Sequence, residues 1–316
     1  MFIKHYSRYA SSIAASVGMR AAHRLLRRAV SLLALLWATT APATPLPAGD
    51  GRRTIDLDGT PVELYTYKPA NYAGGPLLVS FHGLSRNVIA YREATKAIAN
   101  KRGLLVVLPL FDRERFPYWR YQALGITRTS RNVTEGPIAV EPESAWTAAL
   151  ILRLIGRVLA DEGRPDLDYY LIGHSAGGQI ANRLAAFAPH GAKRIVIANP
   201  SSYVQPTRDA RFPYGFGDLP ETMNGEIAIR RYLAQPITLL VGPADVHDKD
   251  LDVRPAAMRQ GATRHERARN IFNAAREVAR ANGWPFNWQL IEVPDVGHDA
   301  QRMYASPQAL AALFGD

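Results

Sequence analysis

The amino-acid sequence predicts an α/β protein: one doubly wound, mostly parallel sheet carrying two irregular insertions near its active site. Three observations predict it. Short unbroken apolar runs, such as PLLVSF at 76–81 and GLLVVLPL at 103–110, recur along the chain, and strands apolar at every position fit a sheet covered on both faces. Longer segments with helical spacing separate those runs, which is the alternation expected of a parallel sheet. Two stretches, 111–142 and 199–234, keep neither period.

In chain order, residues 61–67 (PVELYTY) are rich in strand-forming side chains. Residues 76–81 form a buried strand ending in His82-Gly83. Residues 87–102 follow as a helix, with Ile89, Ala94, Ile98 and Ala99 along one side, and 103–110 is the next strand. The aromatic, arginine-rich stretch 111–142 then reads as a long loop, a feature that is uncommon in compact domains and often functional. From 144 to 162, Trp146, Leu150, Leu154 and Val158 recur every four residues beside Ile151 and Ile155, giving an amphipathic helix. Strand 168–172, a glycine-rich turn at 173–178 and a helix to about Phe187 come next, then strand 194–198. After the Pro-, Tyr- and Gly-rich stretch 199–234 the pattern resumes with strand 237–241, helix 264–282, strand 286–293 and a closing helix at 307–314.

The chain has 316 residues, 47% hydrophobic and 21% charged, which suits one globular enzyme domain with a sizeable core. Its net charge of +10 suggests a nucleic-acid or membrane partner until the charge is located. Lys4, Arg8, Arg20, Arg24, Arg27 and Arg28 carry most of it, with no acidic residue before Thr44. The remainder shows no basic stretch interleaved with aromatics, so a nucleic-acid groove is not expected. Arg24, Arg27 and Arg28 precede an apolar run from Ala29 to Ala38, and Ala41-Pro42-Ala43 follows. Basic flank, short apolar core and small-residue site together read as a secretory signal peptide, residues 1–43, with Met19 an alternative start. The run is about half the length a spanning helix needs, so no stable membrane insertion is expected after cleavage. The expected product is a single catalytic domain, 44–316, exported to the periplasm or beyond. The 0 cysteines rule out disulfides, thiolate metal sites and a cysteine nucleophile.

Gly173-His174-Ser175-Ala176-Gly177, with Gly178 behind it, lies between a strand and a helix. That context turns a weak glycine-serine pattern into a nucleophile elbow, with Ser175 exposed on a sharp turn. The backbone N–H of Ala176, at the start of the helix, can meet a developing negative charge. The competing reading, Ser175 as a plain helix cap, does not explain the flanking glycines. A serine needs a base, and six histidines follow residue 43. His298 sits in a Gly-containing loop directly after the last strand, where sheets of this class gather their active sites. His265 lies among charges on a helix, His190 ends one as a favourable C-terminal cation, and His82, His174 and His247 belong to other turns. The acid that orients the base is expected after an intervening strand. Asp245, in Gly242-Pro243-Ala244-Asp245, meets that condition, with Asp248 its rival in the same acid-rich loop. A calcium loop counted from Asp248 would need glycine and glutamate where Val253 and Arg259 stand, so metal is the lesser reading. Leu84, after His82-Gly83, is placed to give a second oxyanion donor through its N–H.

With these residues in order, His82-Gly83, Gly173–Gly178, Gly242 to Asp245 and Gly297-His298, the sequence over 60–316 resembles the α/β-hydrolase superfamily, and within it the bacterial secreted esterase and polyhydroxyalkanoate depolymerase-like group. The resemblance implies a triad of Ser175, Asp245 and His298, an oxyanion hole of Leu84 and Ala176, a small or oligomeric ester as substrate, and no cofactor. An amidase or peptidase of the same fold, and a non-catalytic binding protein on the scaffold, are the alternatives. Phe116, Tyr118, Trp119 and Tyr121 in the first insertion, and Tyr203, Phe212, Tyr214 and Phe216 in the second, either line the pocket or pack the insertions.

Overall fold

The computed structural model describes residues 44–128 and 136–315. Residues 1–43, read from sequence as a signal peptide with Met19 an alternative start, lie outside the described residues, as do the Asn132-Val133-Thr134 triplet, which matches a glycosylation sequon, and the middle of the first insertion. The chain divides into a unit of 1–43 and a unit of 44–316.

Eight strands of the second unit form one sheet in the order β1-β2-β4-β3-β5-β6-β7-β8. β1 (Gly49–Leu57) and β2 (Thr60–Lys68) pair antiparallel, and β2 pairs antiparallel with β4 (Leu105–Leu110). From there β3 (Leu77–Phe81), β5 (Tyr169–His174), β6 (Arg194–Ala198), β7 (Ile237–Val241) and β8 (Gln289–Glu292) are all parallel. The chain winds one way from β3 to β4 and the other way from β5 onward. The reversal therefore falls between β3 and β5, and the crevice beyond the carboxyl ends of such strands is where doubly wound sheets bind ligands.

The unbroken apolar runs are strands with a helical layer on each face. Leu77, Val79 and Phe81 enter one core, with side chains of α3 (Thr147–Asp161), α4 (Ala176–Phe187) and α8 (Arg264–Asn282). Leu78, Val106, Leu108, Ile172 and Val196 face the other, against α1 (Val88–Arg102), α9 (Ala300–Ala305) and α10 (Pro307–Phe314). Every residue of β3 and β7 is buried, and each large apolar side chain so buried contributes about 1.5–3 kcal/mol.

Three features depart from the sequence reading. β1 was not expected, because as an edge strand paired on one side only it alternates exposed and half-buried polar residues. The last strand is four residues long and only partly buried, shorter than the 286–293 run, since it closes the other edge. The two insertions are not wholly irregular: α2 (Tyr118–Tyr121) lies in 111–142, and α5 (Glu221–Asn224) and α6 (Glu226–Leu233) lie in 199–234, with the short α7 (Pro255–Met258) after β7. α6 buries Ala228, Ile229, Tyr232 and Leu233, a helical stripe too short to stand out from the prolines and glycines before it. Among the described residues no helix is long and apolar enough to cross a membrane.

Candidate active site

Ser175 stands between β5 and α4 at φ 59°, ψ −120°. This is left-handed backbone that a non-glycine residue adopts only where its surroundings enforce it. They do so through two close approaches. A Cβ on Gly173 would overlap the carbonyl of Gly177, and one on Gly177 would overlap the carbonyl of Phe81 at the end of β3. The Ser175 N–H donates to Ala198 O at 2.9 Å, tying the turn to β6. Ala176, first residue of α4, has an N–H with no acceptor inside the helix.

His298 and Asp245 come together: Nδ1 of His298 lies 2.6 Å from Oδ2 of Asp245. A carboxylate only accepts, so Nδ1 carries the proton and Nε2 is left as the basic nitrogen. The Asp245 side chain is fully buried, while that of His298 is 26% exposed. Asp248 is exposed and makes no such contact. The other carboxylate oxygen, Oδ1, accepts from Nη1 of Arg264 at 3.2 Å. Arg264 is itself fully buried and also donates to the carbonyls of His247 (3.1 Å) and Lys249 (2.6 Å), so it pins the acid and the loop that carries it. Sequence reasoning missed Arg264. It opens α8, where the helix dipole disfavours a cation, and that misplaced charge was the available signal.

Asn199, also missed, joins the loops of acid and base. Its Oδ1 accepts from Gly242 N–H (3.1 Å) and its Nδ2 donates to Gly297 O (3.2 Å). Ala244 N–H reaches Val296 O at 3.2 Å beside it. Nothing in the local sequence marks Asn199, because both partners are remote in the chain.

His174 is buried with its ring 4.5 Å, centroid to centroid, from that of His298, and its Nδ1 lies 3.2 Å from the Tyr91 hydroxyl. Burial foremost, then the neighbouring His298 and Arg264, push its pKa well below the usual histidine value, so it packs as a neutral ring. His82 is likewise neutral: burial lowers it to about 3. Its Nε2 accepts from Phe111 N–H (3.1 Å), so Nδ1–H donates to Gly83 O (3.0 Å), and the Tyr121 hydroxyl donates to His82 O at 2.6 Å. These bonds set the loop that ends in Leu84. His265 bonds Glu292 at 2.9 Å on the surface. His190 is not the helix-end cation expected: burial lowers it to about 4, and its Nδ1 accepts from Ala192 N–H.

A cleft of about 760 Å³ is lined by Leu84, Arg86, Arg113, Tyr118, Trp119 and Ser201 among others, with Leu84 rather than Ser175, Asp245 or His298 on its wall. Leu84 is 39% exposed on its wall. Of the eight aromatic residues singled out in the insertions, only Tyr118 and Trp119 line it; Phe116, Tyr121, Tyr203, Phe212, Tyr214 and Phe216 are buried. Among the described residues no group of acidic and histidine side chains is arranged to hold a metal ion.

No family model matches the sequence, and no curated protein matches it. Solved structures do. A poly(3-hydroxybutyrate) depolymerase from Bordetella parapertussis is 33% identical, over 85% of this chain and 91% of its own, at a TM-score of 0.75. A poly(aspartic acid) hydrolase from Sphingomonas sp. KT-1 is 28% identical, over 85% of this chain and all of its own, at 0.76. A thermostable esterase shares the fold alone, at 13% identity and a TM-score of 0.53, over 84% of this chain and 62% of its own.

Proposed function

Because this chain belongs to the α/β-hydrolase superfamily, we propose that it cleaves a carboxylic ester through an acyl-enzyme formed on Ser175. The observation that carries the proposal is a serine held at φ 59° at the switch point of the sheet, with a 2.6 Å His298–Asp245 pair on neighbouring loops. Nε2 of His298 takes the proton as Ser175 Oγ attacks the carbonyl carbon. The N–H groups of Ala176 and Leu84 receive the negative oxygen, each donor worth about a hundredfold or more in rate. His298 then gives its proton to the departing alcohol. A water, deprotonated by the same nitrogen, releases the acid and restores Ser175. Asp245 holds the imidazole in its tautomer, and Arg264 keeps the buried carboxylate from standing unpaired. We also assign residues 1–43 to export, on their basic flank and short apolar run.

The likeness to a poly(aspartic acid) hydrolase supports a second reading, cleavage of an amide by the same residues. Fluorophosphonate labelling with peptide mapping tests the shared chemistry: an adduct on Ser175 that is lost in Ser175→Ala supports it, and no adduct there overturns it. Matched ester and amide substrates then separate the two readings.

A further inference from the structure

The cleft adjoins a second hollow of about 440 Å³, and the two share Pro117, Trp119 and Arg128. Around them stand guanidinium groups held over aromatic rings. Arg86 lies 4.5 Å over Tyr121, Arg120 lies 4.7 Å over Phe116, and Arg128 lies 5.2 Å over Trp119. Arg128 is paired with Glu141 (3.0 Å), and the nearby Arg115 with Asp112 (2.7 Å). Among the described residues Arg86, Arg113 and Arg120 have no carboxylate partner. Nη1 of Arg86 (3.3 Å) and Nη2 of Arg113 (3.2 Å) both donate to the carbonyl oxygen of Leu84. Two unpaired cations thus meet at the residue proposed as an oxyanion donor.

Arg86 itself sits at φ 63°, a strained position for an arginine. Burial foremost lowers the pKa of both Arg86 and Arg120; Arg113 adds to this at Arg86, and Arg128 and Arg115 at Arg120, while Asp112 opposes it at both. On the facing wall Asp252 is occupied by Arg254 and the Tyr214 hydroxyl, and Asp250 is exposed. Arg86, Arg113, Arg128 and Arg254 line the cleft against Asp250 and Asp252, and Arg115, Arg120 and Arg128 line the hollow against Glu114 and Glu141. An excess of positive charge in a concavity raises the local concentration of anions, and a guanidinium fork matches a carboxylate.

We propose that Arg86, Arg113 and Arg120 form a carboxylate subsite, so that the substrate bears a free carboxylate in addition to its scissile carbonyl. The inference rests on the Ser175 reading above.

The test uses two aryl esters whose acyl chains match except that one ends in a carboxylate and the other in a methyl group. The ratio of their kcat/KM values, acidic over neutral, is measured in wild type, Arg113→Gln, Arg120→Gln and the exposed control Arg276→Gln. We expect the ratio to fall about fivefold to tenfold in each cleft variant, as for loss of a charge-assisted bond, and to hold in Arg276→Gln. In wild type, tetraglutamate should inhibit neutral-ester hydrolysis competitively, and salt should relieve the inhibition. An unchanged ratio in both cleft variants overturns the subsite while fluorophosphonate labelling of Ser175 persists. Inhibition by an oligonucleotide of equal charge as strong as that by tetraglutamate overturns the carboxylate assignment. Absence of Ser175 labelling overturns the reading beneath both.

Discussion

Residues 199–234 and the described part of 111–142 have similar compositions, yet one turns its aromatic residues inward and the other turns part of its own outward. In the later segment Tyr203, Phe212, Phe216 and Tyr232 are buried in the larger core. Buried Arg183 of α4 binds it through Ser202 O (2.8 Å) and Pro213 O (3.0 Å), and Arg267 of α8 through Ser201 O (2.5 Å). Its first residue, Asn199, clamps the loops of Asp245 and His298. The earlier segment buries Phe111, Phe116 and Tyr121 as a footing, then presents Tyr118, Trp119 and arginines to the cleft. The arginines that brace the later segment are fully buried, whereas Arg86, Arg113 and Arg120, which also reach backbone carbonyls, line the cleft and the hollow beside it. The difference separates a braced cluster, proposed to be catalytic, from a wall proposed to recognise substrate.

The comparison can be broken most sharply at the acid. On the braced side, Asp245→Asn should lower kcat for an activated ester by about 10⁴-fold, as removal of a triad acid does; Asp248→Asn should change it by less than about threefold. Equal losses would remove the distinction between the buried acid and its exposed neighbour. Phe216→Ala should cost about 3–5 kcal/mol of stability by emptying a fully buried site, read by urea unfolding. Asn199→Ala should lower kcat about 10²-fold with little change in KM, since it shifts the acid and base loops without touching substrate; a change in KM alone would place Asn199 on the wall instead.

Acid should act first through two buried histidines. His82, at about 3, and His174, well below the ordinary value of 6.5, protonate more readily in the unfolded chain than in the folded one. The unfolded state therefore binds more protons, and stability present above pH 6.5 is lost as pH falls toward 3. Chemical denaturation at stepped pH should show this loss. The mildest change is Trp119→Ala, expected to raise KM several-fold at a stability cost of about 1 kcal/mol or less. A large loss of stability would show that Trp119 is footing rather than wall.

Much of this arrangement was legible in the sequence because two periods and one chain order carry it. β3, β4, β5, β6 and β7 declared themselves as apolar runs, and Ser175, Asp245 and His298 as turn residues after three of the sheet's strands. What stayed hidden depended on tertiary contact. β1 reads as polar because only its partner strand explains it, and α6 is too short to show a stripe. Arg264 and Asn199 act on groups 15 and 43 residues or more away, beyond any local pattern. The aromatic residues of the two insertions could not be sorted into wall and core from composition, since a tyrosine serves either use until its neighbours are known.

The central claim, an acyl-enzyme on Ser175, is tested most directly by acid-quenching the protein during turnover of an aryl ester and mapping the acylated peptide by mass spectrometry. We expect the acyl mass on the peptide holding Ser175, with a stoichiometric burst of the aryl alcohol. Sustained turnover with no acylated peptide, or with the acyl group on another residue, would contradict it.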